Sequence, residues 1–316
     1  MKLTIKYGLL AVGLLFINSA CNTETPKDKE TEAVVKTENT AKKAWRIVSL
    51  SGTITELLYE FELEANIVGV DVTSTYPKAA RSITNLGHSS QLNTEAILAL
   101  KPNLILMDEK MAGNKALSGL EASGIKIQSI KIPQTLEGAL EVAEQLETVL
   151  DKELETAELE AKIVENKQKL ETLLSATTER PKVLFIYARG AQAMMVAGKN
   201  TFAESVIRLA GGNPIVQEFE SFKPLTPEAL LQYQPEVILM FDSGLASLSD
   251  EAKDKSGEEQ LLGIPGILQT PAGENRQIIS MEGLYLSGFG PRSSAAILEL
   301  ATQLHTKKLS LLNEVE

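Results

Sequence analysis

Gln91-Leu-Asn-Thr-Glu-Ala-Ile-Leu-Ala-Leu-Lys-Pro-Asn-Leu-Ile-Leu-Met107 recurs without a gap, 133 residues later, as Pro224-Leu-Thr-Pro-Glu-Ala-Leu-Leu-Gln-Tyr-Gln-Pro-Glu-Val-Ile-Leu-Met240. Leu, Glu, Ala, Leu, Pro, Ile, Leu and Met return at matching places. Each copy reads as a cap, a short helix closed by proline, and a buried apolar strand. One such unit in each half of the chain argues for two lobes of similar build with a site in the cleft between them. Glu95 and Glu228 hold equivalent places near the starts of the two helices. The helix dipole favours a carboxylate there by roughly 0.3–1 kcal/mol. Taken alone, that accounts for each glutamate separately.

Outward from the repeat, strands and helices alternate. Arg46 to Leu50 is a short apolar strand, and Thr53-Ile-Thr-Glu56 fits a capping box opening a helix with Ile54, Leu57, Leu58 and Phe61 at helical spacing. Ile67 to Val72 and Ile125 to Ile130 are further strands of a first lobe spanning 45–134. From 135 to 178 no proline interrupts the chain, and leucines recur at broadly helical intervals. A single helix there would run roughly 60 Å and brace the lobes, and a break near Asp151 would shorten it. The second lobe, 179–316, opens with the strand Val183 to Tyr187, carries a capping box at Thr201 to Glu204, and closes with a helix from Ser293. Ser243 to Glu259 is polar and reads as a mobile insertion. All-apolar strands alternating with helices give an α/β fold with mainly parallel central sheets.

The chain has 316 residues, enough for two domains, with 43% hydrophobic and 23% charged residues, as in soluble globular proteins. A net charge of -11 without a basic tract argues against nucleic acid as a partner. Residues 1–20 carry Lys2 and Lys6, an apolar run and a small-residue end, and read as an export signal. Cys21 is the only cysteine, so no intrachain disulfide can form. Its setting after Ser-Ala is similar to a bacterial lipobox, apart from Asn18 where leucine is usual; a plain signal-peptidase site is the alternative. Residues 21–44, rich in Thr, Glu and Lys, form a flexible tether. A lipid-anchored domain on a stalk fits a receptor or carrier better than a metabolic enzyme.

Thr73-Ser-Thr-Tyr-Pro-Lys-Ala-Ala-Arg81 follows the strand that starts at Ile67. Pro77 biases Tyr76 toward an extended backbone, from which a phenol can point into a cleft. Lys78 and Arg81 lie close by and would favour a phenolate, a hard anionic donor that ligates ferric iron, including haem iron. The same stretch is equally an ordinary loop tyrosine beside surface cations.

With these pieces together, the chain resembles the haem-binding substrate-binding proteins of bacterial ABC importers, a class whose two lobes are joined by one rigid helix. The resemblance runs from about Arg46 to Leu304. It is carried by Arg46-Ile-Val-Ser-Leu-Ser-Gly-Thr-Ile-Thr-Glu56, Val68-Gly-Val-Asp-Val-Thr-Ser-Thr-Tyr-Pro77, Val196-Ala-Gly-Lys-Asn-Thr201, Arg208-Leu-Ala-Gly-Gly212, Phe222-Lys-Pro-Leu-Thr-Pro-Glu228 and Gly288-Phe-Gly-Pro-Arg292. It implies an exported, membrane-anchored, monomeric lipoprotein that is not an enzyme. Such a protein carries haem as transported ligand and delivers it to an inner-membrane ABC permease. It also implies that Tyr76 is the axial iron ligand, that Lys78 hydrogen-bonds its oxygen, and that Arg292 meets the haem propionates. His88 and Arg81 are further candidate haem contacts, and Glu95 and Glu228 would dock onto permease arginines. His305, in the closing helix, reads as structural or exposed. The same scaffold binding a corrinoid or a ferric siderophore is the alternative. A surface-anchored hydrolase or adhesive module is the third reading, but no nucleophile and base pair can be nominated for it.

Overall fold

The computed structural model describes residues 44–88, 91–249 and 255–313, so the export signal, Cys21 and residues 22–43 of the tether lie outside the described residues. The first lobe runs β1 (Ile47–Leu50), α1 (Gly52–Glu60), β2 (Ile67–Val70), α2 (Thr94–Ala99), β3 (Leu104–Asp108), α3 (Lys115–Glu121) and β4 (Lys126–Ile130). Its strands lie in the order β2-β1-β3-β4, all parallel, as helical crossovers require. Alternation along each strand sends its apolar side chains to two cores. Ile47, Leu104 and Leu106 pack with α1, whereas Val48, Leu50, Ile105 and Met107 pack with α2 and α3.

Of the two readings of 135–178, one continuous helix or a break near Asp151, the structure takes the break, with α4 (Gly138–Leu150) and α5 (Ala157–Ser175). Asp151 ends α4 in the left-handed region at φ 50° and ψ 51°, a conformation aspartate tolerates better than most residues. Glu147 then holds the turn by accepting from the Leu154 N–H at 2.8 Å. The break lets α4 bury Ala139, Val142, Ala143 and Leu146 wholly in the first-lobe core. The strut between lobes is therefore α5 alone. Its Leu159 and Ile163 belong to the first-lobe core, and its Leu170 belongs to the second. Nineteen residues of helix give it a length of about 28 Å.

The second lobe runs β5 (Lys182–Ala188), β6 (Met194–Ala197), α6 (Phe202–Leu209), β7 (Asn213–Pro214), β8 (Phe222–Pro224), α7 (Pro227–Tyr233), β9 (Val237–Phe241), α8 (Asp242–Ala246), α9 (Gly257–Leu262), α10 (Pro271–Glu274), β10 (Ile278–Met281), α11 (Gly283–Ser287) and α12 (Ser293–Asn313). Strand order is β10-β9-β5-β6-β8, with β7 also on β5; only β6 pairs antiparallel with its neighbours. The repeat survives in three dimensions residue for residue. Asn93 and Thr226 are the equivalent N-caps, accepting from the N–H groups of Ala96 and Ala229, and β3 and β9 occupy equivalent positions. In the polar 243–259 stretch, read as a mobile insertion, the described residues hold most of α8 and the start of α9. Ser256 and Glu259 form a reciprocal capping box. Leu248, Leu261 and Leu262 anchor it by packing with Leu230, Ile238 and Met240. Among the described residues no helix is long and apolar enough to cross a membrane.

His305 is buried on α12, with Nε2 3.2 Å from the Ala210 carbonyl oxygen. Burial pushes its pKa below the ordinary 6.5, against that hydrogen bond. The unfolded chain then binds the proton more readily, so stability is full above pH 6.5 and lost as pH falls toward the depressed value. In His305→Gln the fall in Tm between pH 7.5 and 5 should be shallower than in the parent. Parallel melting curves would remove His305 as the cause.

Candidate functional site

In parallel α/β sheets ligand sites gather beyond the carboxyl ends of the strands. Those ends carry α1 after β1, the Asp71–His88 loop after β2, Tyr187 on β5, Phe241 on β9 and Glu282 after β10. The loop after β2 is built from the inside. Buried Asp71 accepts from Thr73 Oγ1 at 2.8 Å and from Ser74 Oγ at 3.0 Å. Burial still pushes its carboxyl up, and those two hydroxyls pull it back. Ser74 Oγ also lies 2.8 Å from Thr55 Oγ1, which donates to Ser49 Oγ. The N–H of Gly52 donates to Thr73 Oγ1 at 2.8 Å. A Cβ on Gly52 would overlap the Thr73 carbonyl oxygen and come 2.8 Å from Leu284 of the other lobe, so only glycine fits this junction. A network of hydroxyls, those of Ser49, Thr55 and Ser74 buried, thus holds the base of the loop, and Tyr76 stands on it 43% exposed.

The cation that meets Tyr76 comes from the opposite lobe. The guanidinium carbon of Arg292 lies 3.7 Å from the Tyr76 ring centroid and 5.1 Å from that of Tyr285. Glu56 on α1 grips the same guanidinium in a fork, Nε–Oε1 at 2.6 Å and Nη2–Oε2 at 3.2 Å. Burial pushes the Glu56 carboxyl up while Arg292 pulls it down. Glu282 lies 3.7 Å from Arg292, caps α11 through the N–H groups of Leu284 and Tyr285, and accepts from Thr75 Oγ1 at 3.2 Å. Thr53 Oγ1 donates to the Gly288 carbonyl oxygen. Thr53 and Glu56, expected to cap α1, therefore reach across to the second lobe instead. The helix begins at Gly52, and its N-cap Ser51 makes no side-chain cap bond. A Thr-x-x-Glu spacing at a helix start suits both uses, and only the packing of the 288–292 loop decides between them.

Two phenols flank Arg292, and they differ. Burial, with the Glu299 carboxylate beside it, pushes Tyr285 up to about 12 and holds it neutral. Tyr76 is the more exposed of the two. On the second lobe, half-buried aromatics gather around β5 and β9: Phe202 stacks on Phe241 at 5.5 Å, and Tyr187 meets Phe241 edge-on at 6.1 Å. Arg189 donates to Tyr187 Oη at 2.7 Å. Sequence reasoning passed over Glu56, Glu282, Tyr285 and these aromatics because their relation to Tyr76 is wholly long-range.

The remaining candidates spread out. Lys78 is exposed on the 3₁₀ turn after Pro77, and Arg81 braces the loop by donating Nε to the Thr75 carbonyl oxygen at 2.9 Å. His88 is exposed at the far end of the loop, where its charge acts on Asp71. Glu95 and Glu228 are both exposed in the first turns of α2 and α7. One turn on, the repeat-equivalent Leu98 and Leu231 are exposed by 37% and 50%.

A solved structure of the periplasmic haem-binding protein RhuT from Roseiflexus sp. RS-1, in apo form, is 34% identical; the match covers 83% of this chain and 98% of that one with a TM-score of 0.73. The vitamin B12-binding protein of Photorhabdus laumondii is 26% identical over 262 residues, 82% of this chain and 88% of that protein. An uncharacterised ABC transporter substrate-binding lipoprotein of Bacillus subtilis, YvrC, is 22% identical over 272 residues, 84% of this chain and 81% of that one. The model of the periplasmic binding protein family matches residues 47–283. With two lobes, parallel central sheets and that match over most of its length, the chain belongs to the periplasmic binding protein family.

Proposed function

We propose that the protein is an extracytoplasmic haem-binding lipoprotein, lipidated at Cys21, that captures haem on Tyr76 and delivers it to the permease of an ABC importer. The observation that carries this is the half-exposed Tyr76 phenol at the strand ends, with the Arg292 guanidinium 3.7 Å over its ring. A phenolate donor suits ferric iron, and the guanidinium against its ring holds the phenol in place by a cation–π contact. The phenolic proton leaves to solvent as the oxygen takes up iron. On the second lobe, the aromatics around Tyr187 and Phe241 offer apolar surface to a planar macrocycle. Glu95 and Glu228, one on each lobe, serve as docking points for permease cations.

Relatives that bind vitamin B12 favour a second reading, a corrinoid in the same cleft. Titrating the purified chain with hemin and, separately, with cyanocobalamin distinguishes the two. A Soret band shifted from that of free hemin, with no response to cyanocobalamin, is the expected result. An unshifted hemin spectrum alongside saturable cyanocobalamin binding would replace haem by corrinoid.

A further inference from the structure

Resting on the haem reading of the cleft, we infer that Arg292 serves the iron-binding phenol of Tyr76 rather than the propionates of haem, and that Glu56 is the positioning residue that assigns it there. Glu56 is 5% exposed, and its carboxylate takes two nitrogens of the guanidinium in a fork. That geometry fixes both the position and the plane of the group, which a lysine could not reproduce. An Arg292 that swung out to a propionate would leave a buried carboxylate unpaired, which is strongly unfavourable. It would also leave the Tyr76 and Tyr285 rings and the second carboxylate, Glu282.

The lobes sharpen the assignment. Glu56 and Tyr76 both belong to the first lobe, on α1 and on the loop after β2, while Arg292 enters from the second, just before α12. Glu56 therefore registers a cation of one lobe against the phenol of the other. Held by Glu56 against the Tyr76 ring, the guanidinium fixes the placement of the phenol that is to meet the iron. The exposed cations of the Tyr76 loop, Lys78 and Arg81, are left to meet the ring's carboxylates.

Three probes separate the two uses of Arg292. Hemin has iron and propionates, hemin dimethyl ester keeps the iron without the carboxylate charge, and protoporphyrin IX keeps the carboxylates without iron. Arg292→Gln should weaken hemin and its ester by a similar factor, about tenfold or more, and leave protoporphyrin IX within about twofold. Glu56→Gln should follow the same order of effects, with a shift of the phenolate-to-iron charge-transfer band. Glu56→Gln combined with Arg292→Gln should be no worse than Arg292→Gln alone. The double variant leaves no buried charge unpaired, so it keeps the test open if Arg292→Gln does not fold. Losses seen with hemin and protoporphyrin IX but not with the ester would make Arg292 a propionate contact and overturn the inference. So would a Glu56→Gln protein whose binding and charge-transfer band match the parent. A parent that fails to bind hemin, or a Tyr76→Phe variant with the parent's spectrum, would overturn the haem reading and this inference with it.

Discussion

Tyr76→Phe should remove the ligated hemin spectrum and weaken hemin binding by on the order of a hundredfold, about 2.7 kcal/mol. The substitution deletes one oxygen and keeps the ring that lies under Arg292. What remains is contact between the macrocycle and apolar side chains, which binds a porphyrin without ligating its iron. Because Tyr76 is 43% exposed and its loop is held by Asp71, Thr73 and Ser74, the fold should be nearly unaffected. Tyr285 should not substitute as ligand, since it is held neutral with its phenol near 12. Tyr76→His should restore a ligated spectrum of altered shape, because imidazole is also a haem ligand. Absorption titration and resonance Raman of the three proteins measure this. A parent-like Soret band in Tyr76→Phe would mean the iron is held elsewhere, and His88, at the end of the same loop, would be the first place to look.

Charge reversal at both docking points, Glu95→Arg with Glu228→Arg, should leave hemin affinity within about twofold and stop haem uptake. A charge held against a like charge at a contact costs several kcal/mol, and two such contacts act together on one docking event. The fold should tolerate the change, because each site is exposed and a cation at a helix start costs only about 0.3–1 kcal/mol. The repeat adds a finer expectation: the two single variants should lose similar amounts of uptake, since Glu95 and Glu228 are the second residues of equivalent helices. Uptake by cells carrying each variant, alongside hemin titration of the purified proteins, measures both effects. Loss of hemin binding in the double variant, or undiminished uptake, would take these glutamates out of the docking role.

The legible part of this protein was local in character. The repeat between residues 91–107 and 224–240 is two copies of cap, helix and strand, and such units form from interactions within a few residues. It foretold the equivalent caps at Asn93 and Thr226 and the equivalent strands β3 and β9. The break near Asp151 was legible only as an alternative to one continuous helix. An apolar stripe at helical spacing continues through it, and one left-handed residue whose cost tertiary packing offsets leaves little trace in that periodicity. In the polar stretch 243–259, read as an insertion, local polarity says nothing of Leu248, which among the described residues packs with Leu230, Ile238 and Met240.

By itself the sequence determined the α/β class, the two similar lobes and the tyrosine loop, because periodicity, caps and turns are read within a dozen residues. Only the tertiary structure decided what stands against Tyr76. Lys78, two residues away, is exposed on the next turn, whereas Arg292, 216 residues later, lies on the ring in the grip of Glu56 from the other lobe. Sequence distance sets how soon two residues can meet, but the strand ends of two sheets decide which do. Here they bring a phenol, a guanidinium and a buried carboxylate to one junction.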